Sequence, residues 1–365
     1  MIIVIDTTET FQHPLLTSPD WSYVQTFLNR DVATLVVPEI VISETINHFS
    51  AKLSDVLSET RRAIGRLKKL VPDVDIASPE FDLVDATSQF RDAFSGRLKE
   101  LRAQTPGFKQ IPIARIVQRS LQCRKPFDAH GQRGLRDAII WETVIGLACT
   151  KEDEDIVFVT GNTNDFGPDD GLANDLIDDL EKMNVAKDRV KVCAGIRKFV
   201  ESHVKPTLSK LDDLQTRIQE QTFELFDVSD FFTDAFDQIT LAVKDHVRQW
   251  GFQELGYITR SHFEAPRLTG LNTSPDDFEV GEVYRIENKE IAFSIKFTVK
   301  GAIECDEIHD YDPMDRPWTT EFVGEATFAV ETSQVLDEST GQVTEFTIES
   351  VKIIPGIRWP YDEID

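Results

Sequence analysis

The chain predicts a mixed α/β protein in two parts: a parallel βαβ-type domain over residues 1–204, then an acidic α+β domain over 205–365. Three observations carry this. Short β-branched runs at 2–5, 33–37, 156–160 and 190–193 alternate with helical patterns, as buried parallel strands joined by helices do. After Pro206 amphipathic helical spacing takes over, and after about residue 280 it yields to the period-two alternation of antiparallel strands with one wet face. Charge divides along the same line. Residues 61–136 hold 16 Lys or Arg against eight Asp or Glu, whereas 205–365 hold 14 against 33.

Each element has its own signal. Ile2-Ile3-Val4-Ile5 is a short apolar run closed by Asp6, and a second run ends at Val36-Val37. Pro38 suits the first turn of a helix, on which Val41, Ile42, Ile46 and Phe49 make one apolar face. From about 50 to 125 the pattern is a mostly helical, basic insertion, with breaks at Pro72, Pro79 and Thr105-Pro106-Gly107. Residues 123–135 read as a loop and 136–150 as a helix. An acidic turn, Glu152 to Asp155, leads to the strand 156–160; a helix over 172–183 and the strand 190–193 complete the sheet. In the second part 208–250 reads as helical, with Phe232, Phe236, Ile239, Val243 and Val247 on one face. Alternating runs between 280 and 355, such as Ala292 to Val299 and Thr344 to Ile353, make the antiparallel sheet.

Composition excludes several classes. At 365 residues and 41% hydrophobic content the chain can bury ample core. No stretch approaches the roughly 20 apolar residues that span a bilayer, so no membrane partner is expected. Cys123, Cys149, Cys193 and Cys305 form no CxxC pair, which argues against a zinc site or disulfide framework. With the first strand starting at once and no basic leader, the expectation is a cytoplasmic protein. A net charge of −25 excludes a protein that coats nucleic acid with its whole surface, but the basic stretch can supply a local phosphate-binding face. Arg61 and Arg62 stand out there, and Arg133 and Arg136 flank the next landmark. The plainer reading of Arg61 and Arg62 is a solvated helix face.

Four acidic residues fall where a parallel sheet can gather them: Asp6 after the first strand, Glu44 in the next helix, Asp137 opening a helix, and Asp165 past the strand 156–160. Ligands of open α/β folds bind beyond the carboxyl ends of the strands. Carboxylates crowded there repel unless a cation neutralises them, which points to divalent-metal chemistry. Taken singly, each has a structural reading: Asp6 and Asp137 as helix caps, Asp165 as a turn former, Glu44 as surface. His13, His48 and His130 show no ligand spacing. The acidic run Asp306, Glu307, Asp310, Asp312 and Asp315 lacks the spacing of a calcium loop and reads as a solvated hairpin. Glu9 either joins the pocket or caps the next helix, and capping is the favoured reading.

Together, Asp6-Thr7, Pro38 to Glu44, Arg136 to Glu142 and Thr160 to Phe166 resemble the PIN-domain nucleases, and most closely a bacterial PIN-like branch with an extra C-terminal region. The resemblance covers roughly residues 1–200. It implies a three-layer α/β/α fold with a central parallel sheet, and an acidic pocket for one or two Mg²⁺ or Mn²⁺ ions. It implies hydrolysis of single-stranded RNA, or of structured nucleic acid as in flap-endonuclease relatives. On this likeness Asp6, Glu44, Asp137 and Asp165 are the catalytic carboxylates, and with Asn162 they are the metal ligands. Two positions depart from the pattern: Thr8 stands where relatives have Asn, and Asn162 where many have Asp.

The expected activity is therefore a metal-dependent endoribonuclease, with a toxin or anti-phage role implied by family analogy alone. A dehalogenase-type phosphohydrolase needs Asp where Thr8 stands. A PIN-like scaffold that binds RNA or protein without cleaving is the non-enzymatic alternative, and a structure-specific DNA nuclease the other. The acidic second domain would repel RNA, so it is expected to bind a protein, mediate self-association or restrain the nuclease domain.

Overall fold

A computed structural model of the chain describes residues 1–11, 13–71, 82–169, 171–250, 262–263, 266–272, 274–275, 277–287, 289–308 and 319–358. Two compact units divide it, Met1–Thr207 and Leu208–Asp365.

The first unit opens with β1 (Ile2–Ile5), α1 (Thr8–Phe11) and α2 (Pro19–Asn29), then β2 (Thr34–Val36) and the long α3 (Glu39–Leu70). There follow α4 (Leu83–Glu100), α5 (Ile113–Leu121), α6 (Leu135–Thr150), β3 (Ile156–Val159), α7 (Thr163–Phe166), α8 (Asn174–Lys182), β4 (Val190–Cys193) and α9 (Ile196–Phe199). All four strands are parallel, in the order β2-β1-β3-β4. This is the mixed architecture read from the alternating runs. The two central strands are dry: all four residues of β1 and of β3 are buried, which explains why their sequences are continuous apolar runs.

The order places a topological switch at the β1/β3 seam, because the chain leaves β1 to one side for β2 and later returns on the other for β3. The crevice outside the carboxyl ends of those two strands is where an open α/β sheet binds its ligand. Asp6 and Thr160 are the residues that follow β1 and β3, so both stand at this crevice.

Helix α3 runs 32 residues without a break, longer than the apolar face at 41–49 alone implies. Its first turns are held by packing. Phe49 stacks on Phe90 of α4 with ring centroids 3.9 Å apart, and Glu39 donates its amide to the Pro106 carbonyl at 3.0 Å. Its last turns are solvated, with Arg61, Arg62, Lys68 and Lys69 exposed. The expected breaks at Pro72 and Pro79 lie outside the described residues.

In the second unit the expected helical stretch 208–250 is two helices after a short strand: β5 (Ser209–Lys210), α10 (Asp212–Gln219) and α11 (Val228–Val247). The interruption falls at Glu220–Asp227, where Gln221 adopts a left-handed φ of 55° and the Asp227 carboxylate caps α11 by accepting from Ser229 and Asp230. Then come β6 (His262–Phe263), β7 (Arg267–Leu271), β8 (Asp277–Val280), β9 (Tyr284–Glu287), β10 (Glu290–Ile308), β11 (Thr319–Asp337) and β12 (Val343–Arg358). The sheet path is β12-β11-β10-β9-β5, with every pairing antiparallel. Ile291, Phe293, Ile295, Phe297 and Val299 are buried at alternate positions of β10, against Phe232, Ile239, Val243 and Val247 of α11. Asp306 and Glu307 belong to β10; Asp310, Asp312 and Asp315 lie outside the described residues. No helix among the described residues is long and apolar enough to cross a membrane.

Candidate active site

Asp6 is 3% exposed, and three donors hold it at the end of β1. The Thr7 amide reaches Oδ1 at 2.6 Å; the hydroxyls of Thr160 and Thr8 reach Oδ2 at 2.7 and 3.2 Å. Burial pushes its pKa up, and those donors, which favour the charged form, oppose the rise. Thr8 also accepts the Gly161 amide at 2.8 Å, tying the loop after β1 to the loop after β3. The departure from the family pattern at Thr8 thus keeps a bracing contact, one that a hydroxyl can both give and receive.

Glu44 enters from the second turn of α3. The Thr7 hydroxyl donates to its Oε2 at 2.8 Å, and Arg136 pairs with its other oxygen. One helical turn is anchored alongside by the buried Thr10–Thr45 hydroxyl pair at 2.7 Å. Asp165 lies in α7, where Asn162 Nδ2 donates to its Oδ2 at 3.0 Å and Lys125 Nζ to its Oδ1 at 2.7 Å. Asn162 therefore offers its amide to Asp165 in this arrangement.

Asp137 stands in the first turn of α6, after Gly134, whose φ of 115° sharply redirects the chain into the helix. Its carboxyl is pushed up to about 7, first by burial and then by the charges of Asp6, Asp165 and Glu44; the Arg136 guanidinium beside it pulls the other way. That mutual repulsion is the electrostatic mark of four carboxylates converging from separate elements. Glu9 adds a fifth. It is raised by burial and then by Asp6, and its Oε2 accepts the Ile196 amide at 2.8 Å. Glu9 thus holds the start of α9, 187 residues away, rather than capping the next helix.

The four predicted carboxylates, Asn162 and Arg136 share this crevice. Arg61 and Arg62 do not: they lie 17 and 18 residues beyond Glu44 on one helix, about 25 Å along its axis. Arg133 is exposed in the loop before α6, where its amide donates to Asp128 at 3.2 Å. Sequence reasoning missed Lys125, Thr7 and Thr160. Thr160 directly follows β3 and Thr7 stands two residues past the end of β1, positions that could have flagged them. Lys125 sits in an irregular loop and carries no such signal.

The oxygens gathered here, carboxylates and one amide, are the hard donors that Mg²⁺ or Mn²⁺ takes. Among the described residues no group of three or more His, Cys, Asp or Glu is arranged to hold an ion as the side chains stand. Lys125 and Arg136 instead neutralise two of the carboxylates.

Residues 3–166 match the family model of the PIN domain. No curated protein and no solved structure matches the chain.

Proposed function

The chain belongs to the PIN-domain nuclease family through its N-terminal unit, and from that premise we propose that it is a divalent-metal-dependent endoribonuclease acting on single-stranded RNA. The observation that carries this reading is the set of carboxylates at the β1/β3 crevice, where burial and then their repulsion raise Asp137 to about 7. Such a cluster is held together at a cost unless a cation joins it, and PIN domains generally use divalent metals.

On this reading Asp6, Asp137 and Asp165 would hold Mg²⁺ or Mn²⁺. Glu44 and the Asn162 carbonyl complete the set. When bound, the ion lowers the pKa of water and screens the charge that builds up on phosphate. The chain's own residues do the positioning. Thr7, Thr8 and Thr160 fix both oxygens of Asp6, which prevents its rotation. Glu44, held by Thr7 and partly exposed, is placed to orient a water or accept its proton. Arg136, on the solvent side of Glu44, is the predicted nucleic-acid contact that adjoins the site. The second unit is proposed to bind a protein or a further copy of the chain, since its net negative charge disfavours RNA. A role in toxin or defence systems is a further part of the proposal, by family analogy.

The test is cleavage of single-stranded RNA, single-stranded DNA and a flap substrate in Mn²⁺, beside Asp137→Asn and an EDTA control. RNA cleavage that falls at least about 10³-fold in both controls is expected, as for loss of a group stabilising transition-state charge. Cleavage confined to DNA or flaps would replace the substrate assignment. No cleavage, with RNA binding equal in both proteins, would favour the scaffold.

A further inference from the structure

Lys125 is the one lysine whose ammonium meets a carboxylate of the candidate site among the described residues, and its backbone is fixed at both ends. Its amide donates to Asp175 Oδ2 at 2.8 Å, and its carbonyl accepts from the buried Arg119. Arg119 is in turn paired with the buried Asp179. Arg124, its chain neighbour, binds the Asp175 carbonyl at 2.8 Å and lies 3.4 Å from both Asp178 and Asp179. A loop residue with both peptide groups clamped can aim its side chain reproducibly. This one aims at Asp165 Oδ1, 2.7 Å away.

The pair is not a buried structural bridge. The two side chains are 39% and 30% exposed, so the ammonium stands at the mouth of the crevice, between Asp165 and solvent. Any cation that ligates Asp165 competes with it, and a substrate phosphate arrives from its open side. A lysine is a compact charge on a flexible stem with three rotatable donors, suited to exchanging one oxygen partner for another.

We propose that Lys125 is the resident counter-cation of this site: it gives up Asp165 when a divalent ion binds and then contacts the phosphate being cleaved. This rests on the nuclease reading above. No bond is made or broken by Lys125 itself. Its charge moves from a carboxylate to a phosphoryl oxygen, whose negative charge grows during hydrolysis.

The experiment compares wild type, Lys125→Met and Lys125→Arg. Mn²⁺ affinity is measured by electron paramagnetic resonance of the free ion, and RNA cleavage at saturating Mn²⁺. Methionine keeps both backbone clamps, and matching melting curves check the fold. Removing the competing ammonium should tighten Mn²⁺ binding about fivefold, the scale of a partly exposed ion pair. It should also lower kcat about 10²-fold, with Lys125→Arg recovering most of kcat. A tighter metal with a slower reaction is a pairing that simple structural damage does not give. Equal or weaker Mn²⁺ binding in Lys125→Met, or an unchanged kcat, overturns the proposal alone. If neither wild type nor Lys125→Met binds Mn²⁺, the proposal falls together with the reading it rests on.

Discussion

Helix α6 carries acid on two faces, Asp137 partly buried and Glu142 buried, and the two are treated differently. At its start Asp137 meets Asp6, Glu44 and Asp165, with Lys125 and Arg136 as the local cations, both well exposed. One turn on, Trp141 and Glu142 face a set in which three arginines, Arg115, Arg119 and Arg124, meet the carboxylates of Glu142, Asp175, Asp178 and Asp179. Asp179 is bound by Arg119, approached by Arg124 at 3.4 Å, and receives the Trp141 indole N–H at 3.0 Å; Glu142 lies 3.4 Å from Arg115. The second cluster is closed by the chain's own arginines and fixes α6 against α5 and α8. The first is under-neutralised by the chain and open to solvent. Burial and the share of local cations thus tell the two faces apart: the second is closed and paired, the first more open and left short of positive charge.

The sharpest way to break this comparison is to unpair the second cluster. Arg119→Ala leaves Asp179 short of its closest cation and frees the Lys125 carbonyl. Losing one partner of a buried pair costs about 3–5 kcal/mol. In a unit of this size that lowers Tm by about 6–20 °C, at about 2–4 °C per kcal/mol. A fall under about 2 °C would show that the arginines are not what makes this face structural. The first cluster should respond in the opposite sense to added cation. Mn²⁺ at 100 times its Kd should stabilise by about 2.7 kcal/mol, a rise of about 5–10 °C, and Asp6→Asn should abolish most of it. A Tm indifferent to Mn²⁺ would leave the first cluster without its proposed purpose.

The contrast was only half legible in the sequence. Asp6, Glu44, Asp137 and Asp165 could be read because each marks a strand end or helix start, and parallel topology brings such points to one crevice. The parallel sheet itself was legible for a related reason: dry strands must be continuous apolar runs, and β1 and β3 are. Lys125 and Arg119 could not be read. Their roles depend on which loop crosses which helix, and neither spacing nor composition encodes that. Arg61 and Arg62 show the converse limit. Charge bias located a basic helix correctly but said nothing of distance, and the 32-residue length of α3 carries them far from Glu44. Glu9 was read locally because four-residue helices such as α1 and α9 leave almost no periodic signal; its partner, the Ile196 amide, comes from the far end of the unit.

The smallest effect separates the cost of charge at Asp137, which comes from burial and repulsion together, from mere packing. Asp137 has a folded pKa of about 7, above its ordinary value of 3.8, so in metal-free protein it keeps a proton that the unfolded chain has lost. Between those two pH values the folded state binds more protons, and stability falls as pH rises. Above about pH 7 the carboxyl is ionised in both states and the penalty is complete. Asp137→Asn removes that penalty while keeping the shape of the side chain. In EDTA at pH 8 the variant should therefore melt above wild type, and at pH 5, where Asp137 is protonated in the fold, the gap should narrow. Because Asp137 is partly exposed, solvent screening leaves about 1 kcal/mol of the effect, or about 2–4 °C. A gap of the same size at both pH values would mean that the amide merely packs better than the acid. A gap that opens only at pH 8 and closes on adding Mn²⁺ would tie the repulsion to the cation that relieves it.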